Sequence, residues 1–156
     1  MATKVVPAAL TIVHEEKITL NGVEKGSKVT QVIADVTEVS QRIVNVPTSE
    51  VVILVIGSAV AAGQFVESDV RYIRLTNKDD TNHVTLTFKN ENDDEFAVKL
   101  DYGQSFVYNG DLAGGVADTM DAIDGTGLSL GLGDLVNITA LANGSPCDLE
   151  LFVAGV

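Results

Sequence analysis

The chain has 156 residues, with 22 acidic residues against 10 basic ones and a formal net charge of −12. This balance repels phosphate backbones and anionic lipid, and no Lys/Arg cluster offsets it locally, which argues against nucleic-acid and membrane-surface binding. No apolar run reaches the roughly 18 residues that a membrane helix needs. The length predicts one domain, which buries about 70% of the surface that its unfolded chain exposes.

Cysteine usage and the N-terminal sequence bear on the compartment. The single Cys147 cannot form an internal disulfide, so the fold does not depend on an oxidising environment. A small packed hydrophobe is its expected role, rather than an exposed reactive thiol. The sequence before His14 has a short apolar stretch but no charged leader and no convincing cleavage site. The protein is therefore expected to be made and kept in a cytoplasm.

The N-terminal segment contains a possible arm followed by a clear hairpin signal. Residues 1–15 are predicted to be an arm or an edge strand, because Pro7 has no N–H group for a sheet ladder. Such an arm either packs on its own domain or reaches a neighbour. Within residues 16–25 the pair Asn21-Gly22 predicts a tight hairpin with a type I′ turn.

Residues 28–39 are ambiguous between helix and strand. Their apolar positions fall at helical spacing, but β-branched Val, Ile and Thr dominate the segment. These residues lose rotamer freedom in helices, which favours a strand here.

The next pair of predicted strands raises the question of assembly. Residues 41–46 and 51–56 are joined by 47–50, whose sequence Pro-Thr-Ser-Glu favours a hairpin. Residues 51–56 are six consecutive aliphatics without any polar alternation. One face of a sandwich sheet normally meets water, so this run predicts cover on both faces, by the same chain or by another subunit. With an apolar fraction of 46%, it indicates a homo-oligomer.

The central residues 70–110 have the clearest strand pattern. Four short segments alternate apolar with polar residues, as in Phe-Ala-Val-Lys-Leu at 96–100, which lays one face on a core. The connections at 77–82 and 90–94 are rich in Asn and Asp, which suit hairpins. The pattern predicts an antiparallel meander of four strands.

The C-terminal part combines a long loop with two more strands. Residues 110–134 contain seven glycines among 25 residues and are predicted to be a loop, in which only 116–123 suits two helical turns. Residues 135–141 and 148–153 predict a last hairpin, with its turn at 143–146. Roughly ten short strands in total predict an all-β fold, namely an antiparallel, jelly-roll-like β-sandwich that residues 16–156 form as a single domain.

Catalytic signals are weak. The two histidines are His14 and His83, and His83 is expected on the wet side at the start of a strand. The sequence has no nucleophile elbow, phosphate-binding loop or Cys/His metal spacing. The glycine-rich residues 125–133 lack the strand-loop-helix context of a dinucleotide site. The chain is therefore predicted not to be an enzyme, with no catalytic residue and no cofactor.

Clustered carboxylates have the only alternative chemical interpretation. The series Asp118, Asp121 and Asp124 recurs every third residue, and Asn and Asp also crowd residues 79–80 and 90–94. A hard cation such as Ca²⁺ takes six to eight oxygen ligands, which loops of this kind supply. None matches the twelve-residue spacing of a calcium loop, so solvated turns are favoured and no metal site is assigned.

Several short sequences in the middle of the chain carry a family resemblance. They are Tyr-Ile-Arg-Leu-Thr-Asn at 72–77, Val-Thr-Leu at 84–86, and Glu-Phe-Ala-Val-Lys-Leu at 95–100 with Gly103 and Phe106 behind it. Through them, residues 35–110 resemble small virion proteins of tailed bacteriophages, especially those that infect cyanobacteria. The resemblance implies a sandwich protein that is part of a particle, and it carries over no site residues because such proteins act through whole faces.

The resulting expectation is a non-enzymatic virion structural protein, made in the host bacterial cytoplasm. It would be a capsid decoration (cement) protein that stabilises the head shell as a homo-oligomer, most simply a homotrimer, with the major capsid protein or another virion protein as its partner. The first alternative is a tail-, neck- or fibre-associated component. The second is a carbohydrate- or peptide-binding module, although the absence of tryptophan weakens a sugar site.

Overall fold

The protein is built from strands. A computed structural model describes residues 4–122 and 131–156, in which every regular element is a strand and no helix could span a membrane. The thirteen strands of these residues are β1 (Ala8–Glu15), β2 (Thr19–Leu20), β3 (Val23–Glu24), β4 (Lys28–Val36), β5 (Glu38–Val46), β6 (Val51–Gly57), β7 (Phe65–Val66), β8 (Val70–Asn77), β9 (Val84–Asn90), β10 (Glu95–Leu100), β11 (Ser105–Asn109), β12 (Leu135–Ala142) and β13 (Cys147–Gly155).

Nine of the described strands form two facing sheets. One sheet has the order β11-β8-β13-β5, and the other has the order β10-β9-β12-β6-β7. All pairings are antiparallel except the short contact between β6 and β7. The all-β antiparallel sandwich is therefore confirmed. Within the sandwich the first strand, β5, pairs with the last strand, β13.

One apolar core lies between the two sheets. Alternate side chains of β13 point inward, so Leu149, Leu151 and Val153 are buried, as the alternation of residues 148–153 predicts. Phe88 of β9 is fully buried at the centre, and its ring is stacked 4.7 Å from that of Phe96. Burial of this kind supplies most of the driving force for folding.

The predicted meander is wrong, although its four strands are present. β8 and β11 pair in one sheet, whereas β9 and β10 pair in the other. Only the 90–94 connection makes a hairpin; residues 77–82 carry the chain from one sheet to the other. The predicted hairpins at 47–50 and 143–146 are wrong for the same reason, since β5 and β13 lie in the sheet opposite β6 and β12. Both sheets face one core, so alternation does not reveal which sheet a strand joins.

Two further predictions concern helical spacing. Residues 28–36 form strand β4, which confirms the preference for a strand in this segment. Residues 116–122 form turns and one isolated bridge, so the prediction of two helical turns is wrong for them, and the remaining residue 123 lies outside the described residues. The turns there follow backbone contacts to other segments, such as the Val116 N–H donating to the Glu67 carbonyl.

The N-terminal strands form a separate two-stranded ribbon. β1 pairs with β4 from Ala8–Val36 to Glu15–Lys28, and β2 pairs with β3 beyond them. Asn21 and Gly22 close the ribbon with φ values of 51° and 77°, as the predicted type I′ turn requires. We call residues 8–36 the hairpin arm. The hairpin arm contains the hairpin predicted at 16–25. The arm expected at 1–15 corresponds to β1, which β4 joins as a second strand.

The root of the hairpin arm packs on the outer face of the sandwich. Ile12 and Ile33 are buried there against Tyr72 of β8 and Ala154 of β13. Phe152 lies beside them and meets the ring of Tyr72 edge-on at 6.0 Å. This small second cluster holds the arm's base in place and leaves its far end projecting.

Candidate assembly surfaces

The far end of the hairpin arm exposes apolar side chains. Ile18, Leu20 and Val23 are 57%, 57% and 53% exposed. Leu20 lies opposite Val23 in the ladder, and Ile18 is two residues before Leu20, so all three lie on one face of the ribbon. We call these three residues the arm tip. It is an apolar surface without cover in the described part of the chain.

A lone ribbon of this kind is a weak structure in water. A two-stranded hairpin is marginally stable by itself, and a third strand or a packing surface is needed for independent stability. The root has such a surface on the sandwich, but further out Val13 and Val29 are exposed as well. The arm therefore has the properties of an element that completes its packing on another surface.

A second open surface lies where the two sheets meet at one side of the sandwich. β5 has a strand neighbour on one edge only, and β7 covers β6 only at Ile56 and Gly57. The edges of β5 and β6 border a groove of about 380 Å³, whose lining includes Arg42, Val52 and Val55. We call this the seam groove. Unpaired strand edges bordering a groove are typical of sites that accept an additional strand.

The aliphatic run of β6 lines this groove, and a β-bulge explains its lack of alternation. Ile53 is an extra residue in the ladder, between pairs that join Val52 to Thr139 and Leu54 to Ile138. Ile53 and Leu54 are consequently both buried, while Val52 and Val55 remain 54% and 40% exposed. The predicted cover on both faces is thus absent within the described residues, where the outer side of this run meets solvent.

Arg42 spans the seam groove and ties its two walls together. Its Nη2 donates to the carbonyl oxygen of Ile53 at 2.7 Å. That carbonyl belongs to the bulged residue, and a side chain from the opposite sheet satisfies it. The groove therefore has a fixed polar group at its centre and apolar valines at its side.

Charge is distributed unevenly between the arm and the sandwich. Residues 1–36 contain four basic and four acidic residues, so their formal charge is zero. Residues 37–156 contain six basic and eighteen acidic residues and carry the whole net charge of −12. Two sandwiches repel one another at close range, whereas the hairpin arm, residues 8–36, carries a charge of only −1 and approaches an acidic sandwich with much less repulsion.

The structure brings four carboxylates together at one end of the sandwich. Oxygens of Glu91, Asp118 and Asp134 lie within 4.8 Å of one another. Asp118 belongs to the series singled out in the sequence, whereas Glu91 and Asp134 are acidic residues that the sequence did not single out. Asp124 lies outside the described residues. The nearby Glu67 carboxyl has a raised pKa, because burial disfavours its charge and the other three carboxylates repel it.

This carboxylate cluster is partly compensated by the backbone. The Asp118 N–H donates to Oδ1 of Asp134 at 2.8 Å, and the Asp134 N–H donates to Oε1 of Glu91 at 3.3 Å. Three carboxylates are the ligand type that a hard cation prefers. They also suit a solvated turn held by its own N–H groups, which is the interpretation favoured from the sequence.

Neutralising Glu67 is expected to stabilise the protein at neutral pH. A carboxyl whose pKa is raised by folding is stabilising when protonated, and that contribution is lost as pH rises through the folded-state pKa. Urea unfolding of Glu67→Gln should therefore give a higher free energy of unfolding than the parent at pH 7. The difference should disappear below pH 4.5, the ordinary value for this carboxyl. Glu95→Gln, at an exposed position of β10, controls for overall charge, and an equal gain there would contradict the explanation.

The remaining candidate residues lie in separate places. His14 is exposed on β1 of the hairpin arm, and His83 is half-buried just before β9, where its carbonyl accepts the Asn143 N–H. The pair Asp79-Asp80 lies in the 77–82 crossing, where Oδ1 of Asp79 accepts the N–H groups of Thr81 and Asn82. These bonds lower the pKa of Asp79 and account for the polar crowding as turn chemistry.

Cys147 is fully buried at the start of β13, as a packed hydrophobe is expected to be. Burial raises the pKa of its thiol, and the neighbouring Asp79 raises it further. We expect the folded protein to resist a disulfide reagent such as DTNB that labels the urea-unfolded chain completely. Thr48→Cys combined with Cys147→Ala places a thiol at an exposed position and should react at once. Equally rapid labelling of the parent would contradict the burial.

Comparisons with known proteins give little further information. A scan against protein-family models and a search of curated proteins found no match. A solved chain described as "Bacillus endospore appendages form a novel family of disulfide-linked pili" is similar at a TM-score of 0.44. It shares 9% sequence identity over 76% of this chain and 85% of that chain. A likeness at this level carries no argument about function.

Proposed function

We propose that the protein is a non-enzymatic structural subunit of a virion, most specifically a capsid decoration protein that works as a homo-oligomer. The observation that carries the proposal is the hairpin arm, which carries a charge of only −1 and has an exposed apolar tip, projecting from an acidic sandwich that has an open seam groove. Large exposed apolar surfaces with polar surroundings are characteristic of interaction sites. The resemblance of residues 35–110 to small virion proteins supports the choice of particle.

Stabilisation of a shell by such a protein follows from mass action. A protein that binds the assembled lattice and not its free subunits shifts the equilibrium toward the lattice. The hairpin arm and the valines of β6 would carry self-association. The glycine-rich residues 110–134, which the sequence predicts to be a loop, and the acidic turns would face the major capsid protein. The same reasoning applies at a tail, neck or fibre, which is the alternative location within the particle.

The proposal is tested by removing and restoring the protein on its parent particle. Heads that lack it are expected to release their DNA at a lower temperature than complete heads, and purified protein added back should restore the original temperature. Electron cryomicroscopy of the restored heads should place its density at regular positions on the shell. Unchanged heat stability together with no density on the head would contradict a decoration role, and density at the tail would favour the alternative location.

A further inference from the structure

We propose that the arm tip of one copy lies in the seam groove of a second copy, so that the arm adds its strands to the open edge of the neighbouring sandwich. The inference rests on the proposed self-association and names the surfaces that perform it. Both surfaces are defined by described residues: Ile18, Leu20 and Val23 form the tip, and β5 and β6 border the groove.

The backbones of the two surfaces are complementary. Each arm strand is paired on one edge only, and the same is true of β5 and of residues 51–55 in β6. Unpaired edges present rows of N–H and C=O groups, which a strand from another chain satisfies.

The side chains of the two surfaces are complementary as well. The arm tip has its three aliphatic residues on one face. The groove offers Val52 and Val55 from β6, with Phe65 of β7 at its end. Contact between them removes both sets of exposed apolar side chains from water, which is favourable and proportional to the area covered.

Charge favours a second copy as the occupant. The sandwich, residues 37–156, carries a formal charge of −12, whereas the hairpin arm, residues 8–36, has three basic and four acidic residues and a charge of only −1. The arm therefore meets less repulsion at a sandwich than a strongly acidic partner would. Lys17 and Lys25 lie beside the arm tip, as Glu16 and Glu24 also do, and exposed Glu38 and Glu50 lie at the ends of the strands that border the groove. Opposite charges at the rim of a docking surface steer association and fix its register.

The arm does not fill the groove of its own copy. Its root is fixed on the outer face of the β11-β8-β13-β5 sheet through Tyr72 and Phe152, and both the tip and the groove valines remain exposed in the single chain. An interface that joins two different surfaces is heterologous. Repetition of a heterologous contact closes into a ring or continues as a chain, and a closed trimer is the smallest ring beyond a dimer.

Mixing two defective variants tests this interface. Ile18→Ser with Leu20→Ser damages the tip but keeps the groove, and Val52→Lys with Val55→Lys damages the groove but keeps the tip. All four positions are exposed, so circular dichroism should report a native fold for both. Native mass spectrometry should give monomers of each variant alone and a one-to-one heterodimer in the mixture, because one intact tip and one intact groove remain.

Each other outcome overturns the inference in a distinguishable way. If the groove variant alone still assembles, the arms pair with each other and the groove is not involved. If the mixture remains monomeric while the parent assembles, the tip of one copy does not bind the groove of another, and the proposed self-association stands. A parent that is monomeric at every concentration overturns both the interface and the self-association on which it rests.

Discussion

Replacing Phe88 with alanine should lower the free energy of unfolding by about 3–5 kcal/mol, the range for a large aromatic residue removed from a packed core. Phe88 is fully buried on β9 and lies at the centre of an aromatic group. Its ring is stacked on Phe96 at 4.7 Å and on Tyr108 at 5.5 Å, and it is tilted toward Phe106 at 5.2 Å. The substitution removes the ring that joins the two sheets at this point.

Urea unfolding followed by circular dichroism measures this loss. Tyr102→Ala is the matched control, because Tyr102 is an aromatic residue in an exposed turn and should change stability by less than about 0.5 kcal/mol. A loss below about 1 kcal/mol for Phe88→Ala would contradict the central position of this ring.

Replacing Asn77 with alanine is expected to have the second-largest effect. Its side-chain nitrogen donates to the carbonyls of Asn82 and Leu100, and its oxygen accepts the Asp79 N–H. Asn77 is completely buried, so removal of the amide leaves these backbone groups without partners. Each buried group left unsatisfied costs about 1–3 kcal/mol, so the total loss should reach at least that range.

Asn77 also forms hydrogen bonds to two of the segments that connect one sheet to the other. The residues it binds lie in the 77–82 crossing and at the end of β10, where the chain leaves for β11. Asn45→Ala is the control, because the Asn45 amide also donates a hydrogen bond, to Asp148, but is exposed. Thermal unfolding should give nearly parental stability for this control and a clearly lower midpoint for Asn77→Ala. Equal midpoints would show that the crossings do not depend on the buried amide.

The strands of this protein could be predicted from the sequence, but their partners could not. Alternation identifies a buried face, and in β9 and β13 the buried residues are the ones that alternation indicates. The facing sheets bury their strands in the same core, so the pattern does not distinguish a hairpin from a crossing. The Asn and Asp residues of 77–82 suggested a hairpin turn, but this segment connects one sheet to the other. The buried Asn77 side chain donates a hydrogen bond to the carbonyl of Leu100, at the end of β10 in the opposite sheet.

The candidate assembly surfaces could also be predicted only in part, because they depend on strand pairing. Residues 51–56 indicated unusual cover, but the bulge at Ile53, which depends on the pairing with β12, was not visible in the run itself. The turn at Asn21-Gly22 was visible because its left-handed φ values are a local requirement. The pairing of β1 with β4 around that turn depends on residues up to 28 positions apart, from Ala8 to Val36, which a local pattern does not relate.

Self-association is the central claim, and the mass of the purified protein in solution tests it most directly. Size-exclusion chromatography with multi-angle light scattering should give a multiple of the 16.4 kDa chain, three times that mass for a closed trimer, with dissociation on dilution. A constant mass of 16.4 kDa at every concentration would mean that the hairpin arm and the seam groove remain uncovered by other copies, and would contradict the account.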